Sequence, residues 1–168
     1  MVKKLIFITF LLCQASTYSV PLGVDFGLGF SRSNRPSDTA TGLLGGLCTD
    51  LPLAPWIGFA PEANLLVPSG NVTYLSLPLL IRLTVELSRT FALDALIGPD
   101  FGIRLTGATF KESNFWLVTG VAVSAKANDS LRLRLSLRHG LGLTDFTIAS
   151  GDDRLHTLQL AMSAYFEI

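Results

Sequence analysis

The stretch Leu131-Arg132-Leu133-Arg134-Leu135-Ser136-Leu137-Arg138-His139-Gly140-Leu141-Gly142-Leu143 decides the fold. Leucine fills every odd position except His139, and arginine, serine or glycine fills every even one. A repeat of two is the period of a β-strand with unlike faces. On a helix the same leucines would scatter around the whole circumference. Two orientations satisfy the pattern. With leucines inward and arginines in water, the chain is a soluble barrel around an apolar ligand. With leucines against lipid and arginines enclosed, it is a membrane barrel.

The alternation recurs through the chain. Val20, Leu22, Val24, Phe26, Leu28 and Phe30 oppose Pro21, Gly23, Asp25, Gly27, Gly29 and Ser31. Residues 41–51 form a Gly-rich strand of ambiguous register, and residues 50–55, with Pro52 and Pro55, read as a turn. Strands follow at 56–67, 73–85, 91–105, 115–127 and 131–143, and a last one holds Leu158, Leu160, Met162 and Phe166 on one parity. Pro68-Ser69-Gly70-Asn71 is a turn signal, as is Asn128-Asp129-Ser130. The expectation is an all-β fold: an eight-stranded antiparallel up-and-down transmembrane β-barrel. Polar segments at 31–39, 106–114 and 145–154 are the long loops, and shorter turns close the other end, as in outer-membrane barrels.

Composition agrees with a membrane setting. Charged residues make up 15% of the 168 residues, against roughly 25% in soluble domains, and the mean hydropathy is +0.47. No apolar run of about 18 residues follows the N-terminal segment, so a spanning helix is not expected. Residues 1–19 read as a signal peptide, with Lys3 and Lys4 before the apolar run 5–12, leaving residues 20–168 as one barrel domain. Losing Lys3 and Lys4 from 13 basic residues leaves 11 against 13 acidic ones, so no electrostatic case exists for nucleic acid. Cys48 becomes the sole mature cysteine, which precludes an intramolecular disulfide and a cysteine-based zinc site.

Bulk and charge choose between the orientations. Eight strands enclose a space that side chains just fill, too small for five or six Leu, Ile or Phe residues from nearly every strand. The Gly, Ala, Ser and Thr of the other face suit such a crowded interior. An arginine facing mid-bilayer lipid costs roughly 2–4 kcal/mol, so inverting the strand that holds Arg132, Arg134 and Arg138 would cost on the order of 6–12 kcal/mol. The leucines therefore face lipid. The interior then collects Asp25, Glu62, Asp94, Asp100 and Glu167 against Arg82, Arg104, Lys126, Arg132, Arg134 and Arg138, a nearly balanced set expected to act structurally as a lumen charge network. Symmetric hairpins would set Arg82 opposite Asp94, Arg132 opposite Glu167 and Arg134 opposite Tyr165. A lumen filled in this way argues against an open pore.

Tyr74-Leu75-Ser76-Leu77-Pro78-Leu79-Leu80-Ile81-Arg82, then Ile97-Gly98-Pro99, then the segment from Leu137 through His139-Gly140-Leu141 to Asp145, resembles in order and spacing the PorT-type outer-membrane β-barrel domain of bacteria. The likeness runs over residues 20–168. It implies an eight-stranded barrel inserted by the outer-membrane assembly machinery, and a link to secretion or envelope assembly.

No catalytic site is expected. His139 lies on the lipid-facing parity and His156 near the outer rim, about four residues apart along the barrel in a symmetric hairpin, too far for contact. No nucleophile–base–acid set, metal-ligand cluster or phosphate-cradling loop can be assembled, so neither cofactor nor metal is expected. The reading is of a small, monomeric, integral outer-membrane protein in contact with lipid, the assembly machinery and a protein partner at its loops. The alternatives are the soluble carrier and a lipid-modifying barrel enzyme.

Overall fold

The computed structural model describes residues 20–33, 39–69, 72–106, 113–145 and 154–166. The expected signal segment, most of the three long loops, residues 70–71 and Glu167 lie outside the described residues. The strands are β1 (Leu22–Ser33), β2 (Thr39–Thr49), β3 (Leu51–Ala54), β4 (Ile57–Ser69), β5 (Val72–Glu86), β6 (Phe91–Thr106), β7 (Ser113–Asn128), β8 (Leu131–Asp145) and β9 (Arg154–Phe166). Each pairs antiparallel with its chain neighbours, except that β2 and β3 both pair with β4, and β9 closes on β1.

Nine segments make eight staves. Cys48 faces Glu62 and Leu51 faces Phe59, so β2 and β3 keep one register against β4 across Asp50. The expected turn at 50–55 is therefore a strand, and the chain reverses only at Pro55 and Trp56. The prolines are tolerated because a strand needs an amide proton only where its ladder uses one. Pro61 stands across from this break and has no proton to offer.

Following the ladders once around the barrel from Gly23 returns to β1 close to Ser33, a stagger of about ten residues. Eight strands with that stagger tilt by about 40° and set the backbone about 8 Å from the axis. Interior side chains from opposite walls therefore meet.

The faces fall as the periodicity requires. Leu133, Leu135, Leu137, Leu141 and Leu143 point outward and are exposed, while Arg134, Ser136 and Arg138 are buried within. Leu135 is 54% exposed and Arg134 1%, which rules out the soluble carrier. From Leu131 to Leu143, β8 climbs about 30 Å along the axis, enough for the roughly 25 Å apolar band of an outer-membrane barrel. Phe91 and Phe166 lie outward toward the short-turn end, where Trp56 is exposed in a turn, and Phe30, Phe101 and Phe115 lie outward toward the other. Rings at both margins are how such barrels anchor at the two interfaces. Phe101 and Phe115 are register partners, with centroids 5.0 Å apart.

Turn and ladder geometry moved three expected pairings. Leu87 and Ser88 both donate their backbone N–H to the Phe91 carbonyl, and the β5–β6 hairpin is centred on Arg89. Thr84, not Arg82, therefore faces Asp94. In the last hairpin Asp145 faces Arg154, as symmetry predicts, but an irregularity between Leu141 and Asp145 shifts everything below it. Arg132 then faces Tyr165 and Arg134 faces Ser163.

Candidate functional site

Among the described residues the interior concentrates charge, and it does so in layers. Nearest the short turns, the Asp50 carboxylate takes three guanidinium groups. Its Oδ1 lies 3.0 Å from Arg82 Nε, and its Oδ2 lies 2.8 Å from Arg134 Nη2 and 3.4 Å from Arg132 Nη1. Asp94 completes the layer, 3.4 Å from Arg82 Nη1 and 3.5 Å from Arg134 Nε. It also accepts hydrogen bonds from Thr84 Oγ1 at 2.6 Å and Ser124 Oγ at 2.5 Å. Arg82 Nη1 donates to Thr84 Oγ1. Arg134 Nη1 donates to the Tyr165 hydroxyl at 2.6 Å, and the Arg134 guanidinium carbon lies 4.7 Å from that ring's centre. Below this layer a cavity of about 240 Å³, walled by Arg82, Asp94, Lys126 and Arg132, opens at the short-turn end.

One layer up, Glu62 Oε2 accepts from Arg138 Nη1 at 2.6 Å and from Asn64 Nδ2 at 3.0 Å. Asp25 lies 3.6 Å from the same guanidinium nitrogen and accepts from Ser163 Oγ at 3.0 Å. Higher still, both oxygens of Asp100 lie 2.8 Å from Ser76 Oγ. The loop end is packed with larger groups. The Tyr74 and Trp116 rings meet edge to face at 5.9 Å among Leu44, Leu66 and Ala161, and Asn114 Nδ2 donates to the Tyr74 hydroxyl at 2.8 Å. Ala60, Leu80, Leu96, Val118 and Ala122 fill the β4–β7 wall. Gly102 makes room for the indole, since a Cβ there would run into the Trp116 ring.

Four carboxylates (Asp25, Asp50, Glu62, Asp94) thus oppose four guanidiniums (Arg82, Arg132, Arg134, Arg138), drawn from β1, β4, β5, β6, β8 and the β2–β3 junction. Each buried ion is costly alone and tolerable when paired and hydrogen-bonded. Among the residues expected in the network, Asp25, Glu62, Arg82, Asp94, Asp100, Arg134 and Arg138 are buried in the lumen. Arg132 lies at its mouth with 23% of its side chain exposed, and Arg104 is half-buried toward the loop end. Lys126 is not a member. It is exposed at the rim, 3.3 Å from Asp129, because β7 outruns the charged layer there.

Asp50 is the member the periodicity missed, because two nearby prolines disguised its strand as a turn. Two signals pointed to it: the surplus of one base in the expected set, and its even spacing from Leu44 and Cys48. The histidines also differ from expectation. The register shift brings His156 opposite Leu141 and His139 opposite Leu158, and their rings stack at 6.1 Å with planes 17° apart, outside the barrel. Among the described residues no group of three or more His, Cys, Asp or Glu side chains could hold a metal ion.

No protein-family model matches the chain, and no curated protein matches it. Solved structures do. Neisserial surface protein A aligns with 10% identity and a TM-score of 0.60 over 88% of this chain and 97% of that one. The attachment invasion locus protein Ail of Yersinia pestis, in complex with the heparin analogue sucrose octasulfate, aligns with 11% identity and a TM-score of 0.51, covering 88% and 99%. The outer membrane protein OprG of Pseudomonas aeruginosa aligns with 10% identity and a TM-score of 0.50, covering 90% and 98%. The fold is that of small bacterial outer-membrane barrels. Together with the apolar outward face, it makes this an outer-membrane protein.

Proposed function

We propose that the protein is a plugged, monomeric scaffold of the outer membrane that works through the loops at 31–39, 106–114 and 145–154. It is neither a pore nor an enzyme on this reading. One observation carries it: the lumen is bridged from wall to wall by ion pairs, with Arg134 joined to Asp50 on the far stave and Arg138 to Glu62. A through-path would have to break several charge-assisted bonds at once. The plug makes the cylinder stiff, and a stiff cylinder holds loops in a fixed arrangement for recognition. The likeness to PorT-type barrels extends this to a role in secretion or envelope assembly, with a protein partner at the loops and insertion by the outer-membrane assembly machinery.

Conductance tests the plug. The full chain reconstituted in planar lipid bilayers should show no steady ohmic current, and sustained open-channel steps would overturn the scaffold reading. Deleting the gene and comparing exported proteins tests the finer role. An unchanged set of secreted and surface proteins would remove the link to secretion.

A further inference from the structure

Among the described residues, the ionisable groups on the lipid-facing surface gather in one region. Among the outward-parity strand residues with described side chains, the charged or imidazole-bearing ones are Arg32, His139, Arg154 and His156. All four lie on three adjacent staves, β8, β9 and β1. The ladder makes them contiguous: His139 faces Leu158, His156 faces Leu141 on one side and Arg32 on the other, and Asp145 faces Arg154 beyond them. Thr119, exposed and opposite His139, extends the polar seam onto β7.

The seam runs inward from the loop end. His139 sits four residues below Leu143 on β8, about 10 Å deeper along the tilted stave. His156 lies near the level of Leu141, and Arg32, exposed, tops the seam. Ionisable groups on a lipid-facing wall are costly and rare unless something polar meets them. Here the imidazoles meet each other, face to face. Arg32 makes no ion pair with another described residue.

We infer that Arg32, His139 and His156 form a docking site for the phosphate-bearing headgroup of an outer-leaflet glycolipid. The chemistry is complementary: one planar guanidinium fork and two imidazoles. The depth is complementary too. A phosphate anchored to acyl chains rides at the margin of the apolar band, where His156 and Arg32 sit, while His139 reaches the first carbons below. A free phosphate has no reason to seek a site whose lower half lies in hydrocarbon. The inference rests on the outer-membrane reading, so its test must report insertion separately.

The full chain is folded into nanodiscs containing either diphosphoryl lipid A or the same lipid stripped of phosphate, and bound lipid is counted by native mass spectrometry. Heat-dependent gel mobility of each sample reports insertion independently. The wild type should retain the phosphorylated lipid about tenfold better than the stripped one. His139→Leu/His156→Leu, which extends the leucine belt and should fold at least as well, should lose that preference, and Arg32→Gln should lose most of it. Millimolar inorganic phosphate should not displace the lipid. Equal retention of both lipids, an unchanged preference in the double variant, or displacement by free phosphate would each overturn the site. So would a wild-type dimer that becomes monomeric in the double variant with lipid retention unaltered, since a second copy would then occupy the seam.

Discussion

Replacing Asp50 by asparagine should be the most damaging isosteric change in the lumen. Asp50 is 1% exposed and, among the described residues, is the only carboxylate within ion-pair distance of Arg82, Arg132 and Arg134 together. Asparagine keeps the shape and one acceptor but removes the charge. Arg82 and Arg134 would retain Asp94 at 3.4 and 3.5 Å, and Arg134 would retain the Tyr165 hydroxyl. The loss should therefore sit at the lower end of the 3–5 kcal/mol range for breaking a buried pair, about 3 kcal/mol. With a urea dependence of about 1–3 kcal/mol per molar, the unfolding midpoint should fall by about 1–3 M. The assay is urea titration of the detergent-folded barrel, read by tryptophan fluorescence and heat-dependent mobility. The double variant Asp50→Asn/Arg134→Gln should be less destabilised than the two single losses combined, by about 2 kcal/mol, because it leaves one fewer unmatched ion. A midpoint within about 0.3 M of wild type for Asp50→Asn, where about 1 M or more is expected, would refute the view that this carboxylate holds the layer together.

Three other outcomes follow from the same geometry. Leu135→Arg places a guanidinium on the lipid face near mid-height, at a cost of roughly 2–4 kcal/mol, and should abolish the heat-modifiable band, whereas Leu135→Ile should not. Gly102→Val drives a side chain into the Trp116 ring and should destabilise by about 1–3 kcal/mol, visible as a lowered thermal midpoint and a shifted tryptophan emission. Lys126→Gln breaks only the exposed pair with Asp129 and should leave the urea midpoint in place, and a marked fall would put Lys126 back into the lumen network.

Much of the fold was legible because one side chain in two faces each way. That alternation revealed the inward arginines of β8, the inward Asp25, Glu62, Asp94 and Asp100, and the number of staves. Register was less legible, since it depends on where each hairpin turns. A centre at Arg89 instead of Ser88 moves every β5–β6 pairing by two residues. The irregularity below Asp145 does the same to β8 and β9, and it alone converts two distant histidines into a stacked pair. Asp50 was hidden for another reason. Pro55 does mark the turn, but Pro52 lies within a strand, because a barrel stave accepts proline wherever the ladder asks for no proton. The lumen's aromatic packing was also beyond periodicity, because parity says that Trp116 points inward but not that Gly102 receives it.

The partners that neutralise one another inside come from distant parts of the chain. Asp50 and Arg134 are separated by 84 positions and Glu62 and Arg138 by 76, and Ser163, which donates to Asp25, lies 138 positions from it. The β5–β6 hairpin brings one matched pair of its own, Arg82 and Asp94, but β8 would carry bare cations into hydrocarbon if it arrived alone. Insertion must be concerted and late, with the sheet held near closure before it crosses. An intermediate lacking the first two staves should stall at the surface and await degradation, however greasy its outer wall.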